Sequence, residues 1–355
     1  MTKVKVRERS PAVPRLTATV EWGPAYEALL ALAMFSGDEP QDSYDVGKAW
    51  FARHRRQTSP ELQSAIKTLL GAGAGGRWFL LLGMVHAAGG RRDVLGLIAH
   101  LKALPADEVL ATLLGGHLPA FGSPEGRRLV AAAIAGDASA AALVAERSHA
   151  PERAAVRQLA KVGAPQARKL AIDILSRWEG EVASGWDPET ATLLEADAAV
   201  KAKAAKRMSA HELVEYATSG ITYEGEPGID RVLLVPTHVM RPWITVTEWD
   251  NIKIFSYRAG QAADPGGAPR PDTVLLYRAL GDETRLRLLR ELAGGDRRLV
   301  ELAAAVGLAK SSVHAHLAVL RTAGLVGLTI GPEKRYGLRR GLPDLNRLLS
   351  EYIRD

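Results

Sequence analysis

Between residues 26 and 216, apolar positions recur at helical spacing in AYEALLALAMF, ELQSAIKTLLGAG, DVLGLIAHLKAL, PERAAVRQLAKV, PQARKLAIDILSRW and HELVEYA. Pro60, Pro105, Pro151 and Pro165 stand at or near the start of such runs, where a missing N–H costs a helix little. The pattern predicts a large α-helical domain, and no fixed-period repeat argues for a solenoid. From 221 to 258 the period changes to two. RVLLVPTHVMRPWITVTEWDNIKIFSYR is β-branched and aromatic, with Trp243, Thr245 and Thr247 in one run, Ile252, Ile254 and Ser256 in the next, and EWDN as a turn between them. Two or three antiparallel strands are predicted here, and LTATV at 16–20 is a further candidate strand. The stretch AGQAADPGGAPRPD, 259–272, has no period and reads as a linker.

After it the helical pattern returns in shorter pieces. TVLLYRALGDETRLRLLRELAGG predicts two amphipathic helices broken at Gly281-Asp282 and stopped at Gly294-Gly295. LVELAAAV predicts a short helix over Leu299–Val306. Gly307 permits a tight turn, and the small Ala303 lets a second helix, expected over 310–323 and closed by Gly324, cross closely. Leu302, Val306, Leu308, Val313 and Leu317 are expected to fill the shared core. LVGLTIGPEKRYGLRR then alternates on either side of 331–334, as a hairpin with a basic tip. The fold class expected is mainly α (α+β): a helical N-terminal domain over 1–258 with a small antiparallel β element at 221–258, and a winged helix-turn-helix over 273–355.

These residues carry a resemblance. ALGDETRLRLLREL, VELAAAVGLAKSSVHAHLAVLRTAGLV and GPEKRYGLRR resemble the winged-helix domain of the ArsR-type bacterial transcriptional regulators, and VLLVPTHVMRPWITV is more weakly similar to long members with an extra N-terminal domain of unassigned ligand. The resemblance implies a homodimeric DNA-binding repressor. Two departures matter. Ala309 stands where the family usually has a hydroxyl residue opening the reading helix, which leaves Ser311 to supply a cap or a phosphate contact. The family's thiolate metal motif would fall near RRLVELA, which has no cysteine, and LPDLNRLLSEYIRD lacks the histidines of its other metal sites, so metal sensing does not carry over.

Within the reading helix His314 and His316 point about 200° apart, too far to close on one ion. Val313, Leu317 and Leu320 mark its buried stripe, with Ser311, Ser312, Ala315, Ala318 and Thr322 opposite. Lys310, Ser311, Ser312, His314 and Ala315 are expected to face the major groove, His316 to support packing or touch a phosphate, and Arg321 to join the DNA contacts. At the wing, Lys334, Arg335, Tyr336 and Arg339 suit phosphate or minor-groove contact. Apolar stripes at Val274, Leu275 and Tyr277, and at Leu345, Leu348, Leu349 and Ile353, are expected either to build a dimer on a partly palindromic operator or to pack on the N-terminal domain.

Charge supports a polyanionic partner for this module. Residues 273–355 hold 14 Lys and Arg against 9 Asp and Glu, so five of the chain's six net positive charges lie there. A length of 355 residues allows two domains. Cysteine is absent, which excludes disulfides, thiolate zinc sites, iron–sulfur clusters and cysteine nucleophiles. The charged start MTKVKVRERSPAVPR and the lack of any apolar run near ~18 residues lead to the expectation of a soluble cytoplasmic protein.

Catalytic motifs fail in turn. GAGAGG lacks the Lys-Ser/Thr of a phosphate loop, HELVE lacks the second histidine of a zincin, and no G-x-S-x-G occurs. The scattered His54, His86, His100, His117, His149 and His238 leave metal binding a minor alternative, and neither a metal nor a cofactor is expected. Seven tryptophans against five phenylalanines point to Trp22, Trp50, Trp78, Trp243 and Trp249 as candidates for lining a small-molecule effector pocket, against ordinary core packing. The function expected is a sequence-specific regulator, a repressor by resemblance, controlled by a ligand in the N-terminal domain. The alternatives are an enzyme or interaction module whose winged helix serves autoregulation or protein contacts, and constitutive operator binding.

Overall fold

The computed structural model describes residues 16–260, 271–331 and 333–339. Helices occupy Pro24–Ser36, Gly47–Gln57, Pro60–Leu70, Leu82–Ala88, Val94–Ala103, Ala106–Leu114, Pro124–Ile134, Ala138–Arg147, Arg153–Val162, Ala164–Glu181, Pro188–Ala205 and Ala210–Thr218. Their starts follow local chemistry. Pro60 sits just inside a helix whose N-cap Ser59 accepts the Leu62 N–H, and Asp93, Ser123, Asp137, Asp187 and Ser209 cap others in the same way. Pro24–Ser36 is the innermost helix, with ten successive residues from Ala25 to Met34 buried. A helix apolar on every side belongs in a core centre. Among the described residues, no single helix is long and apolar enough to cross a membrane.

Among the described residues the strands, in chain order, are β1 (Thr17–Val20), β2 (Ile221–Tyr223), β3 (Arg231–Thr237), β4 (Thr245–Trp249), β5 (Ile252–Arg258), β6 (Val326–Ile330) and β7 (Arg335–Leu338). The expected strand at 16–20 is present. The expected antiparallel arrangement is corrected: the four-stranded sheet has the order β1-β3-β5-β4, with β1 parallel to β3 and β3 parallel to β5, and only the β4–β5 hairpin antiparallel. The run of four apolar residues from Val232 to Val235 explains this, since a strand covered on both faces favours parallel neighbours. Leu233, Val235, Ile252 and Ile254 face the helical core, while Val232, Leu234, Phe255 and Tyr257 face a second core.

That second core is shared between the winged helix and the N-terminal elements packed on it. The helices of the winged module are Pro271–Leu280, Glu283–Ala293, Leu299–Val306 and Lys310–Thr322, and β6–β7 is the antiparallel wing. Leu276, Leu288, Leu302, Val313, Leu317 and Leu320 form one cluster with Phe255, Tyr257 and Leu213. Leu308 is a correction, being 40% exposed beyond the turn rather than in the shared core. The three-stranded sheet is completed from the N-terminal side, because β2 pairs parallel with β6, Ile221 beside Leu328 and Tyr223 beside Ile330. The compositional break at 259–272 therefore does not divide the hydrophobic cores, and the helix from Pro271 begins inside it. The expected C-terminal helix, with Leu345, Leu348, Leu349 and Ile353, lies outside the described residues.

Candidate nucleic-acid interface

The reading helix is set by its turn. Gly307, at φ 71°, ends Leu299–Val306 in the left-handed region that favours glycine, and Lys310–Thr322 departs at 105°. Ala309 is the N-cap and makes no side-chain capping bond, so the first N–H groups of the helix are not capped by that residue. Val313, Leu317 and Leu320 are fully buried below it. Lys310, Ser311, Ser312 and Ala315 are all exposed at the N-terminal half, where a helix-turn-helix presents its side chains to base edges.

The other flank is taken by the N-terminal part of the chain. His314 stacks on Trp243, ring centroids 5.4 Å apart and planes 25° apart. Two turns on, the Thr322 hydroxyl lies 3.3 Å from the Pro242 carbonyl and donates 2.9 Å to Ala318 within its own helix. Ala318 is buried, so Ala318 and Thr322 do not belong to the open outer face expected for them. Arg321 is also corrected: it lines a narrow cleft with Thr218, Pro242, Ile244 and Arg258, away from the open face. Partial burial against the indole, with Arg321 and Lys334 nearby, holds the His314 imidazole below the ordinary histidine value and therefore neutral at neutral pH. His316 lies 3.7 Å from Asp282, the N-cap of Glu283–Ala293, and ties the two helices together.

At the wing Lys334 and Arg335 are exposed. Arg335 donates to Glu333 at 2.9 Å, and Glu333 also meets Arg298 at 3.3 Å, so one carboxylate offsets part of the positive charge. Tyr336 is 4% exposed in the second core and exchanges backbone bonds with Arg297, which replaces its expected DNA contact with a packing role. Arg339 is half-buried and lies over Gly220 and Gly324, both at positive φ, at the seam between β2 and the wing.

The tryptophan candidates scatter. Trp78 is fully buried, Trp249 stacks on His117 at 4.0 Å, Trp22 is half-buried just after β1, and Trp243 stacks against His314 of the reading helix. Trp50 lines a cavity of about 310 Å³, together with Trp186, which sequence reasoning did not single out. His54 and His238 line one cavity, but among the described residues no three His, Asp or Glu gather as a metal site.

A bent helix pair, an exposed helix start and a basic wing define a winged helix-turn-helix, a DNA-binding module. Residues 282–327 match the family model described as bacterial regulatory protein, arsR family, so this segment is an ArsR-type helix-turn-helix domain, which supports a DNA-binding transcriptional regulator. No curated protein and no solved structure matches the chain.

Proposed function

We propose that the protein is a homodimeric, ligand-responsive repressor in which the N-terminal domain controls the reading helix by direct contact. The observation that carries this is the double attachment of the winged helix. β2 supplies the third strand of the wing sheet, and Pro242 and Trp243 hold one flank of the reading helix. The segment 238–243 joins β3 to that flank. A ligand that moves it by binding one arrangement better than another shifts the population of reading-helix positions, and only such differential affinity does so.

Dimerisation is supported by the helix Pro271–Leu280, which buries Leu276 and Ala279 and leaves Val274 and Tyr277 about 40% exposed. A two-fold pair of reading helices calls for an inverted-repeat operator with half-sites about one DNA turn apart. Selection from random duplex DNA with the full-length protein tests the reading. An enriched inverted repeat with a steep salt dependence is expected, and binding without sequence preference overturns it.

A further inference from the structure

The cavity beside Trp50 opens at the carboxyl end of β3, between the helix Gly47–Gln57 and the turn 182–187. Crevices outside the carboxyl ends of parallel strands are favoured ligand sites. Its wall holds two polar side chains with unmet bonds: the Nδ1 of His238 and the indole N–H of Trp186 are buried with no protein partner among the described residues. Leaving such groups unpaired is costly, which favours a ligand that can reach and pair them.

The other polar groups show what kind of ligand fits. Glu27 is 1% exposed and accepts from the Thr237 hydroxyl at 2.6 Å and from the His238 and Val239 N–H groups at 2.9 Å each, so its carboxylate is already matched within the protein. His54 Nδ1–H donates to the Trp50 carbonyl at 2.7 Å, which leaves Nε2 as an acceptor, and its ring stacks on Trp50 at 4.0 Å. Burial holds His54 below the ordinary histidine value, and burial with the nearby Arg241 charge holds His238 at about 4, so both imidazoles are neutral near pH 7. Arg53 and Asp187, exposed at the mouth, have opposite charges. With the Arg241 charge close enough to act on the buried Glu27 carboxyl, little net charge remains inside to repay the desolvation of an ion.

We infer that this cavity binds a small, planar, uncharged molecule carrying both a hydrogen-bond acceptor and a donor, held against Trp50 and Trp186 and bonded to the Trp186 N–H and the His238 imidazole. Its role as effector site rests on the proposed regulatory reading; the binding itself does not. The route outward is short. His238 and Val239 line the cavity and are bonded through their backbone to Glu27, and Pro242 and Trp243, four residues on, touch the reading helix.

The test uses full-length protein labelled with 5-fluorotryptophan, fluorine NMR, and three probes of one shape: benzamide, benzoate and benzylammonium. The Trp186 signal is assigned with Trp186→Phe. Benzamide is expected to shift the Trp186 and Trp50 signals saturably, with a dissociation constant on the order of 1 mM for so small a molecule. The two ions are expected to bind at least fivefold more weakly, and His238→Leu to weaken benzamide by a similar factor. No saturable shift at Trp186 or Trp50 with any probe in the wild-type protein overturns the site. Equal binding of an ion overturns the ligand class. Operator affinity is then measured with and without saturating benzamide: a change supports the effector role, whereas no change overturns the regulatory reading and leaves the binding site standing.

Discussion

Trp243 and His314 stack at 5.4 Å, joining a loop of the N-terminal domain to the DNA-reading helix. An aromatic pair of this kind contributes about 0.5–1.5 kcal/mol beyond its buried area. The same loop brings the Pro242 carbonyl to 3.3 Å from the Thr322 hydroxyl, so it meets the helix at two points eight residues apart. That attachment is the contact through which the proposed control of DNA binding would run.

Removing the wing charge separates phosphate contact from base reading. Lys334→Ala is expected to weaken operator and random DNA alike and to lower the salt slope by about one. Glu333→Gln is expected to do the opposite, because it releases Arg335 and Arg298 from their shared carboxylate. Titrating salt against affinity for both variants checks the pair.

The shared sheet predicts shared stability. Phe255 is fully buried in the second core, edge-on to Tyr223 of β2 at 5.5 Å, while Ile254 beside it belongs to the helical core. Phe255→Ala is expected to cost about 3–5 kcal/mol. Wild-type urea unfolding should be one transition by both fluorescence and circular dichroism, and the variant should shift both probes together. Separate transitions for the winged helix and the rest would show that the two cores are independent.

Acid should loosen the cavity at His238. The folded-state pKa of His238, depressed to about 4 from 6.5, means the unfolded chain binds the extra proton between those values. The stability this group contributes is complete above about pH 6.5 and is lost as pH falls toward 4. It amounts to at most about 3 kcal/mol, reduced by the partial exposure of the ring. His54 works in the same direction, and Glu27, whose carboxyl is raised by burial, in the opposite one. The check is therefore a comparison: the melting temperature of His238→Asn should fall less between pH 7 and pH 5 than that of the wild type.

Much of the DNA-binding module was legible in the sequence, because its cues are local. Gly307, the buried stripe at Val313, Leu317 and Leu320, and alternation on either side of 331–334 place the helices and wing where they are found. The joining of the two parts was not legible. Period-two alternation says which face of a strand is covered but not which strand lies beside it, so neither the pairing of Ile221 with Leu328 nor the parallel β3–β5 contact could be read. The four-residue apolar run at 232–235 was the available sign of two-sided burial. Helical geometry places His314 on the flank of the outer face, where it is exposed; the approach of Trp243 to its ring is long-range and has no local sign in the sequence. Trp186 and His238 reach one cavity from segments some fifty residues apart, a proximity with no sequence period.

The central claim, that the N-terminal loop positions the reading helix, is tested most directly by the operator affinity of Trp243→Ala at fixed salt, beside its affinity for random duplex DNA. A loss of about 2- to 10-fold on operator is expected with random DNA unchanged, and the double variant with His314→Ala should lose no more than His314→Ala alone. An unchanged operator affinity in a folded variant would contradict it.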